Sequence, residues 1–464
     1  LWARAYPSMS QMPEWKRVFA PNGRAPFAAE RIVFPDHART LESIARTEGA
    51  SFYTGELAQA IADAARSDGA YLDERDLAAH APQWVTPLEA PFGSSIMLQI
   101  PPNGRAPLAA ERIAFADHAR TLESIARTEG ASFYTGEIAK RIADAARADG
   151  AFLDERDLAA HAPQWVAPLE APFGSSTMLQ IPPNGQGIAA QIARGILDAC
   201  GVNPRFAELS SDCADSAHLA VEAMKLAFRT VHREVGDPAS MRVTPAELLS
   251  RELHARLAAE IDPAKARDFG HGPPRTGGTI LLCAADKDGN MVSLIQSNYT
   301  GWGSGIVIPG TGIAMQNRGA CFTLEKGHVN EYAPAKLPYH TIIPGMLVKR
   351  DAGGAARPHV AFGCMGGYMQ PQGQLQIASR LEDHRANPQS ALDAPRWQVS
   401  EGLRLDVEPG FTQATLDELA KRGHEVKVAR EKSITFGRAQ CIQRVEHGYI
   451  AASDSRGDAQ AVVG

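Results

Sequence analysis

Along the first 180 residues, apolar positions recur at helical spacing. Leu41, Ile44 and Ala45, then Leu57, Ile61 and Ala65 ahead of Asp68-Gly69, predict two amphipathic helices. The next segment, LDERDLAAH, restarts a helix that Asp73 can cap and whose first turn is acidic. SIMLQI, residues 95 to 100, reads as a short strand before Pro101-Pro102. The same series then returns, and its strand runs into PPNGQG and a helix over IAAQIARGILDAC. SAHLAVEAMKLAF, residues 216 to 228, predicts an amphipathic helix with Ala220, Met224 and Ala227 on one face beside Leu219, Ala223 and Leu226.

From residue 262 to 278 the chain is rich in Pro and Gly and reads as an exposed, mobile connector. After it the period changes. TILLCAADKDGNMVSLIQS predicts two strands around Asp288-Gly289, a hairpin signal. GIVIPGTGIAM predicts a further strand and turn. Strands are expected at 341–348, 359–363, 425–429 and 447–452, and helices at 371–382 and 412–422. Helices first and strand-rich sequence second imply a layered α/β fold whose sheet core lies in the second half.

The recurrence in the first half is a duplication. Residues 21–101 and 102–182 align at a constant offset of 81 with 10 differences, most of them mild, such as Phe27 against Leu108. Solenoids use shorter, more degenerate units and at least three of them. Two long, nearly identical copies therefore indicate a recent segmental duplication or a sequence-assembly error, and they compete for one packing site. Because its strand runs directly into PPNGQG, the second copy is the one expected to occupy that site.

Composition narrows the function. The chain has 464 residues, 44% hydrophobic and 22% charged, with a net charge of −6. That is a globular balance, and it lacks the basic face of a nucleic-acid binder. No run approaches the roughly 20 apolar residues of a membrane span. The six cysteines include no C-x-x-C pair, which disfavours zinc and thioredoxin-type chemistry and leaves buried free thiols. No metal site or cofactor is indicated. The chain begins at Leu1 without a signal-peptide pattern, so a processed or truncated product is expected, and the compartment is not readable.

The chemically suggestive junction is Gly277-Gly278-Thr279, where the connector meets a strand. A threonine hydroxyl can attack the preceding carbonyl only if the backbone bends, and Gly278 permits that. Cleavage would give Thr279 a free α-amine, able to act as base for its own hydroxyl. A Gly-Gly-Thr strand start is, by itself, ordinarily just a strand start.

The joint pattern is more specific. TILLCAADKDGNMVSLIQS, GWGSGIVIPGTGIAMQNRG, LPYHTIIPGMLV, GCMGGYMQPQG, ALDAPRW and AASDSRGDAQAVV, preceded by PPNGQG, HLAVEAMKLAF and VGDP, resemble in order the gamma-glutamyltranspeptidase family over nearly all of residues 103–464. The resemblance implies a four-layer αββα sandwich of the N-terminal-nucleophile hydrolase type, its large-subunit part truncated at the N-terminus. The expected division is a remnant at 1–20, the two copies, a large-subunit remainder at 183–278 and a small-subunit-like catalytic region at 279–464. It implies self-cleavage between Gly278 and Thr279, Thr279 as nucleophile, Ser297 as a hydroxyl bonded to it, and Gly366 and Gly367 as the oxyanion-hole pair. Two fragments that stay associated, a small-molecule amide substrate such as glutathione, and no cofactor are implied as well.

Around the substrate the sequence departs from the family. His340 and Thr341 stand where two serines usually hold the glutamyl carboxylate. Tyr299, Arg318 and Cys321 stand where Asn, Gln and Asp usually surround the glutamyl amine. Arg318 would repel an ammonium and favour a carboxylate. Thr279 is followed by Ile280 where members carry a second Thr, and no residue here matches the family's carboxylate-clamping Arg. Three expectations follow: a γ-glutamyl amidohydrolase or acyltransferase, a glutaryl- or cephalosporin-type acylase, or a truncated, inactive relative.

Overall fold

The computed structural model describes residues 6, 10–11, 13–20, 22–24, 34–47, 49–67, 72–79, 91–92, 95–96, 115–201, 212–270, 278–301, 303–351, 353–457 and 459–462. Two compact units emerge, one of residues 1–89 with 102–113, the other of 90–101 with 114–464. The first unit is helical, with helices Pro35–Arg46, Ala50–Thr54, Glu56–Ser67 and Glu74–Ala79. Asp73 caps the last of these, its carboxylate accepting from the Arg75 and Asp76 N–H groups.

The second unit carries two short strands, β1 (Pro91–Phe92) and β2 (Ser95–Ile96), and then the second copy's helices Ala116–Arg127 and Glu137–Ala148. Residues 97–100 of the strand expected in the first copy lie outside the described residues. In the second copy the same segment forms β4 (Ser176–Gln180), paired with β3 (Leu169–Phe173) just ahead of it. These join β7 (Gly345–Arg350), β8 (Ala356–Met365), β12 (Arg438–Val445) and β13 (Gly448–Ser453) in an antiparallel sheet ordered β13-β12-β8-β7-β4-β3.

One face of this sheet carries the helices Ile188–Ala199, Ala214–Glu234 and Met369–Glu382, which share its main hydrophobic core with Phe173, Met178, Leu347 and Phe362. The other face carries the hairpin of β5 (Gly278–Ala285) and β6 (Met291–Tyr299). Leu281 is buried against the sheet, and Ser293 Oγ donates to the Phe362 carbonyl at 2.9 Å. A Cβ on Gly363 would lie 2.9 Å from the Leu281 methyls, so the hairpin sits this close only because β8 has a glycine there. Helices, sheet and a two-stranded part of a second sheet are thus three successive layers. On the outer side of the hairpin Ile280, Leu282, Val292 and Leu294 are exposed. A small sheet ordered β11 (Glu425–Val428), β10 (Arg404–Val407), β9 (Trp397–Val399) flanks the core.

Two local expectations are corrected. GIVIPGTGIAM forms no strand. It is a loop with one isolated bridge, Val307–Ala314, because Pro309 interrupts it and Gly310 and Gly312 take left-handed backbone at φ 69°. Residues 341–344 also stay outside β7. Residues 271–277 of the connector lie outside the described residues. No helix of the described residues is long and apolar enough to cross a membrane.

Candidate active site

The hairpin places the nucleophile candidate at its open end. Gly278 pairs with Tyr299 and Thr279 with Ser297, so a bulge falls between Gly278 and Thr279. Tyr299 absorbs it with φ 79°, a left-handed conformation costly for a bulky residue. Bulges re-aim side chains. Here Thr279 is buried and its hydroxyl donates to Ser297 Oγ at 3.0 Å. The Tyr299 N–H donates to the same oxygen at 2.8 Å and fixes its position.

Tyr299 leads to the substrate-side residues. The Arg318 guanidinium lies over the Tyr299 ring, 5.0 Å from its centre, and Nη1 donates to Thr341 Oγ1 at 2.5 Å. Arg318 is buried, and burial pulls its pKa down. His340 precedes Thr341. Burial first, and then the nearby Arg318 charge, push its pKa down to about 4, so it is neutral at pH 7.

Thr341 is tied to the glycine loop through Gln186. Its Nε2 donates to the carbonyls of Thr341 at 2.6 Å and Gly367 at 2.9 Å, while the Gln186 N–H donates to the His340 carbonyl at 2.8 Å. Gly366 and Gly367 sit between β8 and the Met369–Glu382 helix with φ of 134° and 59°, values that demand glycine. Their carbonyls accept from the N–H groups of Met369 and Gln370, whereas no described group accepts from their own N–H groups. Two unpaired donors beside a helix N-terminus are suited to a developing oxyanion. No described hydrogen bond joins Thr279 directly to this loop.

Behind the loop lies an ion network that sequence reasoning did not single out. Arg396 is fully buried, bonds Asp454 Oδ2 at 2.6 Å, and holds the Phe436 and Gly437 carbonyls at 3.0 and 2.9 Å. Arg456 bonds Asp454 Oδ1 at 3.0 Å and Glu408 Oε1 at 2.7 Å. Burial alone would raise Asp454, but Arg396 and Arg456 hold it below the usual carboxylate range. The network fixes Gly437, whose Cα lies 3.2 Å from where a Cβ on Gly366 would be. Arg396, Asp454 and Arg456 come from ALDAPRW and AASDSRGDAQAVV, and Gln186 from PPNGQG. Charged or amide residues inside apolar, small-residue motifs were the available signal. Asp286, by contrast, caps the hairpin turn, accepting from the N–H groups of Asp288 and Asn290.

The layered sheet with its strand-borne Thr279 has the fold of N-terminal-nucleophile hydrolases, and the solved cephalosporin acylase from Bacillus halodurans superposes with a TM-score of 0.70 at 42% identity, covering 77% of this chain and 64% of that one. A family model described as Gamma-glutamyltranspeptidase matches residues 1–114 and 101–464, and the chain belongs to that family. The Glutathione hydrolase-like YwrD proenzyme of Bacillus subtilis is 34% identical over 371 residues, 77% of this chain and 67% of that protein. The Oxamate amidohydrolase proenzyme of Klebsiella pneumoniae is 34% identical over 366 residues, with the same coverage. The chain thus spans about two thirds of the length of the relatives it matches.

Proposed function

We propose that this chain cuts itself between Gly278 and Thr279 and then hydrolyses or transfers the acyl group of small amides through Thr279. The observation that carries the reading is the buried Thr279 hydroxyl, hydrogen-bonded to Ser297 at the bulge where Gly278 pairs with Tyr299. In the cut, Thr279 Oγ attacks the Gly278 carbonyl, the peptide C–N bond breaks to leave an ester, and water hydrolyses that ester. Gly278 then ends in a carboxylate and Thr279 begins with an amine whose pKa is near 8. In turnover that amine takes the hydroxyl proton as Thr279 attacks the substrate carbonyl, and it delivers the proton to the departing amine. The Gly366 and Gly367 N–H groups stabilise the oxyanion. Water, or an acceptor amine, resolves the acyl ester.

After the cut β4 and β7 lie on different fragments yet pair in one sheet, which supports fragments that remain associated. The relatives named glutathione hydrolase, amidohydrolase and acylase support an amide substrate, with γ-glutamyl amides such as glutathione and carboxyacyl amides as the two candidate classes. Hydrolysis of γ-glutamyl- and glutaryl-p-nitroanilide by the parent chain and by Thr279→Ala tests the reading. Turnover in the parent and none in the variant is expected, and equal rates in both would overturn it.

A further inference from the structure

We infer that Arg318 is the anchor for a carboxylate on the acyl group, so that the preferred substrates are amides of short dicarboxylic acids lacking an α-amino group. The inference rests on Thr279 being the nucleophile for its place in catalysis, but the anchor itself is a binding claim that can be read separately.

The first observation is an uncompensated buried charge. Arg318 is only 6% exposed, and no described carboxylate pairs with it. Its Nη1 is used on Thr341 and the guanidinium also meets the Cys321 thiol, but Nη2 is buried without an acceptor among the described residues. A guanidinium cannot shed its proton to escape this cost, as a lysine can. Buried charges persist where a partner arrives, and the partner missing here is an anion.

The second observation is what surrounds it. Among the described residues, the groups that face Arg318 are the Tyr299 ring, the Thr341 hydroxyl, Cys321, His340 and Tyr368. Burial raises the Cys321 thiol against the pull of Arg318, so it stays protonated, and His340 is neutral at pH 7. None of them is an acid that could receive an ammonium. A γ-glutamyl group would bring its α-ammonium, together with its carboxylate, up to a fixed cation. A glutaryl group of the same length brings the carboxylate alone.

The third observation is position. Tyr299, stacked under Arg318, donates its N–H to Ser297 Oγ, which also receives the Thr279 hydroxyl. Thr341, bonded to Arg318, shares Gln186 with the Gly367 carbonyl. The guanidinium is therefore braced from both sides of the reacting centre, and the planar fork fits carboxylate geometry.

Two measurements on the full chain test this. Calorimetric titration with glutarate and with L-glutamate should show glutarate binding roughly tenfold tighter or more, with the preference abolished in Arg318→Gln. Equal binding, tighter L-glutamate, or an unchanged preference in Arg318→Gln would overturn the anchor, whether or not the chain turns over. In parallel, kcat/KM for glutaryl-p-nitroanilide should exceed that for γ-glutamyl- and pentanoyl-p-nitroanilide, and Arg318→Gln should erase the advantage over the pentanoyl amide. A faster γ-glutamyl amide would reject the anchor and leave Thr279 standing. Glutarate binding without hydrolysis of any anilide would reject Thr279 and leave the anchor standing.

Discussion

At the scale of single residues, the site depends on hydroxyl and amide positions set by neighbours within two hydrogen bonds. Ser297 Oγ receives both the Thr279 hydroxyl and the Tyr299 N–H. Ser297→Ala keeps the strand but frees the nucleophile's rotamer. Loss of positioning of this kind costs about 10²-fold, and both self-cleavage and amide hydrolysis should slow by about that factor. Stopped time courses followed by intact mass, with an anilide assay beside them, would check it, and unchanged rates would remove Ser297 from the mechanism. Thr279, Gly366, Gly367 and Arg318 were singled out in the sequence because the family pattern marks their places. Gln186 and Arg396 were not, because their work is to hold carbonyls from segments distant in sequence, and nothing in local spacing reveals a partner 155 or 40 residues away.

At the scale of elements, periodicity served where inward positions are bulky. The 412–422 helix and the β5–β6 hairpin were both anticipated from apolar spacing. RAQCIQRV was missed as a strand because its inward residues are Ala439 and Cys441, small groups that leave a faint alternation. It is nonetheless the neighbour of β8, and its placement supports both the glycine loop and the nucleophile strand.

Another element-scale join is the contact of the Ala214–Glu234 helix with the turn after helix Gln413–Lys421. There His218 Nδ1 and His424 Nε2 share a hydrogen bond at 2.8 Å, and His218 Nε2 bonds the Asp262 carbonyl at 2.9 Å. Since Nε2 must donate to that carbonyl, His218 accepts from His424 through Nδ1, and both rings are neutral. Burial lowers both pKa values, His424 to about 3, with the Lys225 charge adding to the effect on His424. The folded values lie below the unfolded one near 6.5. The stabilisation is therefore complete above about pH 6.5 and is lost as pH falls through the window toward the folded values. Denaturant midpoints should drop between about pH 6.5 and 4. A His424→Gln chain should show a shallower drop, and an identical slope would mean the pair does not contribute.

At the scale of the whole molecule, the duplication dominates. The second copy supplies β3 and β4 to the six-stranded sheet, and residues 1–89 make a separate unit. A chain lacking residues 21–101 should therefore unfold at the same temperature or higher, by calorimetry or circular dichroism. Collapse of its transition would show that the first copy is needed. The sequence disclosed the copies, and the run of the second copy's strand into PPNGQG pointed to the one that pairs with β7, although ten differences leave both able to form the strand. The outer side of the β5–β6 hairpin, with Ile280, Leu282, Val292 and Leu294 exposed, is an apolar surface of the kind that other protein normally covers.

The central claim is that Thr279 becomes a free N-terminal nucleophile, and the intact mass of the purified chain measures this most directly. The account predicts two fragments meeting at Gly278/Thr279 in the parent and one chain of full mass in Thr279→Ala. A single full-length mass in the parent after prolonged incubation would contradict it, leaving Thr279 as an ordinary strand residue of an inactive relative.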